Sequence, residues 1–250
     1  MLYFVIGLPG AFTNWCGAVV AGLARQAVGA SHGVEANTLG DIARTILRGD
    51  TPHMVVSARA PGGRLRSALL AADRPFVIAR DDAWLACADL VLAGHCTLPA
   101  AVRQVASSCS AMMGFPSAPA ALALDAARDW PDGAATAAAI ADHFHFAVSG
   151  GDIAAVLDEV GSVDLASRGD DAQWWWDRLA ASEQDLLRGA LDPYLRDFAS
   201  QHAASINWSA ELFSVGERPS EPANIPIDIT GRARCLLQGP HILLPPAAGH

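Results

Sequence analysis

The sequence has no lysine: all 17 basic residues are arginine. No step in its chemistry can use a lysine ammonium, and any cationic contact to a phosphate must come from a guanidinium. Cysteine is sparse and odd in number, five residues (Cys16, Cys87, Cys96, Cys109 and Cys235) with no C-x-x-C pair. That argues against a disulfide framework and a zinc site and fits a reducing compartment. Positive charge is in deficit. A net charge of −9 disfavours nucleic acid or an anionic membrane surface as the main partner. Long apolar runs are missing as well. The N-terminal one stops at Gly7, without a charged leader, and none approaches the ~18 residues of a membrane span. These absences describe a soluble cytoplasmic protein with no membrane span.

What is present is apolar content of 52% over 250 residues, enough for one sizeable α/β domain. The chain is organised around Met1 to Arg25. The apolar run Leu2 to Ile6 ends in the turn Gly7-Leu8-Pro9-Gly10, and a helical pattern opens at Thr13. A buried strand, a tight loop and a helix start bring backbone N–H groups and the helix dipole to one point, where anions bind.

Downstream the pattern alternates. Helices are expected at Thr13–Val28, Thr38–Arg48, Arg64–Ala72, from Asp81-Asp82 onward, and at Pro99–Met113, with strands at His53–Ala58, Pro75–Ala79 and Ala120–Leu124. Strands and helices at this spacing predict an α/β fold with a doubly wound parallel sheet flanked by helices. Two alanine-rich helices follow, Asp132–Phe144 and Ser149–Val160. A polar turn containing Gly169 precedes Trp174-Trp175-Trp176, and a last helix spans Ser182–Phe198. The tryptophans read equally as a stacking platform and as core packing. From about Ala203 the chain is rich in proline and alternates like a strand pair around Gln238-Gly239-Pro240. The expected division is a main domain at 1–202 and a Pro-rich, β-hairpin-like tail at 203–250 that packs on the body or engages a protein partner.

Gly7-Leu8-Pro9-Gly10-Ala11-Phe12-Thr13-Asn14-Trp15 resembles the 5′-phosphosulfate loop of sulfotransferases, G-L-P-[RK]-S-G-T-T-W. Pro75–Ala79 followed by Arg80-Asp81 is similar to that family's strand ending in R-D-P. Ser167-Arg168-Gly169 through Trp174 is similar to its late R-K-G-x-x-G-x-W loop, and Ile140-Ala141-Asp142-His143-Phe144 to one of its helices. The resemblance covers about residues 1–200. It implies a P-loop NTPase-like fold of the sulfotransferase type. It also implies 3′-phosphoadenosine 5′-phosphosulfate (PAPS) as donor, and an acceptor hydroxyl on a small molecule or glycan.

Under that resemblance Pro9, Gly10, Ala11, Phe12, Thr13, Asn14 and Trp15 would surround the 5′ end of the donor, with Trp15 bracing the helix. Arg80, Arg168 and Gly169 would hold the 3′-phosphate, where planar guanidinium forks suit a dianion. Gly10 stands at the family's loop cation, Phe12 at its loop glycine, Ala88 at a phosphate-binding serine and Ala172 at the late loop's second glycine. Arg59 stands at the catalytic histidine, facing the transferred group. Arginine stays protonated at neutral pH and cannot be the general base. Other bases are sought among His32, His53, His95, His143, His145, Asp81 and Asp82, each of which reads first as a surface, core or helix-start residue. No metal is implied. The alternatives are a non-catalytic binding or scaffolding module and, against the missing G-x-x-x-x-G-K pattern, a small-molecule kinase.

Overall fold

A computed structural model describes residues 1–48, 53–71, 74–113, 115, 120–161 and 165–191. The strands are β1 (Leu2–Gly7), β2 (His32–Glu35), β3 (Met54–Ala58), β4 (Phe76–Arg80) and β5 (Ala121–Asp125). They form one parallel sheet in the order β2-β3-β1-β4-β5. The helices are α1 (Ala11–Val28), α2 (Leu39–Arg48), α3 (Gly63–Ala71), α4 (Ala83–Leu92), α5 (Leu98–Met112), α6 (Ala126–Asp129), α7 (Gly133–His143), α8 (Gly150–Val160), α9 (Leu165–Trp176) and α10 (181–191). The fold is the expected doubly wound α/β sheet. Among the described residues no helix is long and apolar enough to cross a membrane.

β1 lies at the centre, buried along its whole length. Its side chains alternate between two cores. Leu2, Phe4 and Ile6 face α2, α3, α4 and α5, together with Trp175 and Leu187. Tyr3 and Val5 face α1, α7 and α8. A strand covered on both faces reads as a continuous apolar run, which is why β1, β3 and β4 stand out in the sequence.

Two sequence readings need correction. β2 was not expected: its four residues, HGVE, form a largely exposed edge strand with too little apolar character to stand out. Consequently the strands expected second, third and fourth are β3, β4 and β5. Gly169 is not in a turn but inside α9. A glycine within a helix costs about 1 kcal/mol relative to alanine, but here Ala172, Trp175 and Trp176 pack onto the core behind α4 and hold the segment helical. The last helix is described over 181–191 only, and the hairpin-like tail and its domain boundary lie outside the described residues.

Candidate functional site

The chain leaves β1 toward the β2 edge and leaves β4 toward β5, so the winding direction reverses between these neighbouring strands. In open parallel sheets, ligands bind beyond the strands' carboxyl ends near such a reversal. A cavity of about 780 Å³ opens beside the β1–α1 loop. Gly10, Ala11 and Asn14 contribute from that loop, Arg59 from the end of β3, Asp89 from α4, and Arg168 from α9.

The loop is tight and fully buried from Gly7 to Gly10. At Gly7 a Cβ would lie 2.2 Å from Thr13 Oγ1 and 2.7 Å from the Ala79 carbonyl oxygen, so only glycine lets α1 sit this close to the strand end. Thr13 Oγ1 is itself buried, with no hydrogen-bond partner among the described residues. At Gly10 a Cβ would meet Asp89 Oδ2 at 3.0 Å, which shows how closely α4 is set against the loop.

The residue before α1, Gly10, has no side chain to cap the helix. Asp89 supplies the cap instead: Ala11 N–H donates to Asp89 Oδ2 at 2.8 Å. The convergence point expected for a ligand anion therefore already holds a carboxylate from α4.

Arg168 holds the same carboxylate in a fork. Its Nε donates to Asp89 Oδ1 at 3.0 Å and its Nη2 to Asp89 Oδ2 at 2.7 Å. Nη1 and Nη2 donate to Asp81 Oδ1 and Oδ2 at 3.0 and 2.7 Å. One guanidinium thus serves two carboxylates, with side chains 8% exposed for Arg168, 1% for Asp81 and 17% for Asp89. Burial opposes the charge on Arg168, but the bonds to Asp89 and Asp81 outweigh it and raise its pKa further above the ordinary value. Burial pushes the Asp81 carboxyl up, against the pull of Arg168. Asp82 joins this cluster only through its backbone, its N–H donating to Asp81 Oδ1 at 2.9 Å. It caps α4, accepting from the Trp84 and Leu85 N–H groups at 2.7 and 3.2 Å.

Arg59 stands on another wall. Asn37 Oδ1 accepts from the Arg59 and Ala60 N–H groups, each at 2.9 Å, and fixes the turn after β3. Arg59 Nη2 lies 3.1 Å from Glu35 Oε2 and donates to Asn14 Oδ1 at 3.3 Å. Of the histidines weighed as bases, His95, on the α4–α5 link, lines the cavity, next to Cys96. His143 is bonded to the Phe76 carbonyl and His53 to the Tyr3 hydroxyl, both away from the cleft.

The expected site residues therefore separate. Gly10, Ala11, Asn14, Arg59 and Arg168 come together in one cavity. Pro9, Phe12, Thr13 and Trp15 are buried and do not line it. Phe12 is fully buried, its ring centroid 6.1 Å from that of Trp15 and 5.0 Å from that of Trp130. Trp15 braces α1 in this same cluster. Arg80 ends β4 in register with Asp125 and is not in the lining. Gly169 lines a separate hollow of about 360 Å³ with Trp84, Trp175 and Trp176.

Asp89 was missed by the sequence reading. Its signal was present: it is the only charged residue in the otherwise apolar helix AWLACADLVL. No family model matches the sequence, and no curated protein is significantly similar to it.

Proposed function

We propose that the cleft takes the phosphate-bearing end of a nucleotide, and that the protein is a transferase of the sulfotransferase type. It would move a sulfuryl group from PAPS to an acceptor hydroxyl on a small molecule or glycan, in the cytoplasm. One observation carries this reading: Arg59, from the turn after β3, and Arg168, from α9, reach the same cavity beside the β1–α1 loop. Two guanidinium groups and a loop amide suit a multiply charged, planar-recognised end group. Transfer of this kind needs positioning and charge neutralisation more than covalent help from the protein. Arg59 would neutralise the transferred group, and His95 is the cavity's candidate for accepting the acceptor's proton.

A second reading, a binding module without transfer, is favoured by the carboxylate already seated on Ala11 N–H and Arg168. Calorimetry with 3′-phosphoadenosine 5′-phosphate tests the donor site. Micromolar binding that weakens at least tenfold in Arg59→Ala supports it, a loss in the range of a charge-assisted hydrogen bond. Absence of binding at millimolar ligand rejects it. Given binding, labelled sulfate is followed from donor to a glycan panel. Turnover identifies the transferase, and none with any acceptor favours the binding module.

A further inference from the structure

We propose that Asp89 is a built-in occupant of the donor site, a carboxylate that the ligand's phosphate must displace and that thereby sets the cleft's affinity and its preference for doubly charged ends. The inference rests on the nucleotide reading above and adds the residue that limits it.

Two contacts put Asp89 in that role. Its Oδ2 accepts from Ala11 N–H, the first amide of α1, and both its oxygens accept from Arg168. These are the donors an incoming phosphate would use, and a singly charged group already fills them. The arrangement is unbalanced, since two carboxylates share one guanidinium away from bulk water. Asp81 is sealed in and is the permanent partner. Asp89 is the more exposed of the two and lines the cavity, so it is the one that can leave. Its departure keeps Arg168 in a one-to-one fork with Asp81, which leaves no buried charge unpaired.

A doubly charged phosphate has the advantage over the carboxylate in this exchange. It can take the Ala11 N–H and the outer edge of Arg168 with charge to spare for the Arg59 guanidinium on the same cavity, whereas a singly charged group gains little over Asp89 itself. Gly10 fits the same picture: a Cβ there would press on Asp89 Oδ2 at 3.0 Å, so the glycine leaves the carboxylate room against the loop.

The experiment is calorimetry with 3′-phosphoadenosine 5′-phosphate on the full chain, its Asp89→Asn variant and its Asp171→Asn variant, with the Ala11 amide followed by ¹⁵N-resolved NMR. Asp171 is exposed on the same cavity and touches neither Ala11 nor Arg168 through any described hydrogen bond, so it reports the effect of removing one unit of charge nearby. Asp89→Asn is expected to bind at least tenfold tighter than the parent, and Asp171→Asn at most threefold. In the parent, ligand should move the Ala11 amide resonance as its partner changes. Equal or weaker binding in Asp89→Asn, or binding to the parent that leaves the Ala11 amide unmoved, overturns the role of Asp89 while the nucleotide reading stands. No binding to any of the three proteins at millimolar ligand removes both. The parent's amide response decides the matter even if Asp89→Asn does not fold.

Discussion

Phe12 and Asp89 secure the same helix end by different physics. On one side of the α1 N-terminus, Phe12, Trp15 and Trp130 pack as an aromatic cluster, with Leu124 and Ala137 in the same buried core. On the other, Asp89 caps the first amide while Arg168 ties α9 to α4 through Asp89 and to the β4–α4 link through Asp81. The two sides meet where the Arg168 guanidinium lies over the Trp130 ring, 5.4 Å from its centroid. The apolar side gains from area removed from water and needs no exact partner. The ionic side gains only while each charge keeps its partner, because the desolvation cost has already been incurred. The first is therefore suited to holding a fold, and the second to being exchanged.

The largest effect is expected on the apolar side. Phe12→Ala removes a fully buried ring and should destabilise by about 4 kcal/mol, read from urea unfolding midpoints. Arg168→Ala should cost about 3 kcal/mol, because it strands two carboxylates. It differs in being repairable: Arg168→Met together with Asp81→Asn and Asp89→Asn should return to within about 1 kcal/mol of the parent. If the triple variant is as unstable as Arg168→Ala alone, the ionic side is a packing element, and the two sides do not differ in kind.

The same difference decides what could be read from the sequence. β1, β3, β4 and α1 were visible because a buried parallel strand and an amphipathic helix leave periodic apolar residues between Gly and Pro. The meeting of Gly10, Asn14 and Arg59 followed from topology, since residues at the carboxyl ends of neighbouring parallel strands must lie together. The ionic side left at most a lone charge in an apolar helix, Asp89, which marks the residue but not its partners. Asp89 is 78 residues from Ala11 and 79 from Arg168, and Asp81 is 87 from Arg168. No local pattern records a partnership at that separation. Gly169 misled for a related reason: Ser-Arg-Gly-Asp-Asp is turn-like in isolation, and only packing against α4 makes it helical.

The smallest effect separates the two sides by pH. Burial holds the His143 imidazole below its ordinary value, against the opposing pull of its bond to the Phe76 carbonyl oxygen at 3.1 Å. Burial, and then the neighbouring N-terminal amine, lower His53 likewise. Both rings stay neutral in the fold at pH values where the unfolded chain takes up protons. The stability they contribute is complete above the unfolded histidine value of about 6.5 and is lost as pH falls through it toward the folded values. Asp81 acts in the opposite sense. With its folded value raised, it takes up a proton more readily folded than unfolded, so its contribution is complete below the ordinary aspartate value and falls away as pH rises through the folded one. Acidification from about pH 7.5 to about 5.5, a window set around the unfolded histidine value, should therefore lower the urea midpoint through the histidines and not through the ion cluster. His143→Gln, which keeps a donor for the Phe76 carbonyl, should flatten that decline by its share and leave that of His53, whereas Asp89→Asn should leave the slope as it is. A decline abolished by Asp89→Asn and untouched by His143→Gln would place the acid-sensitive contacts on the ionic side and reverse the assignment.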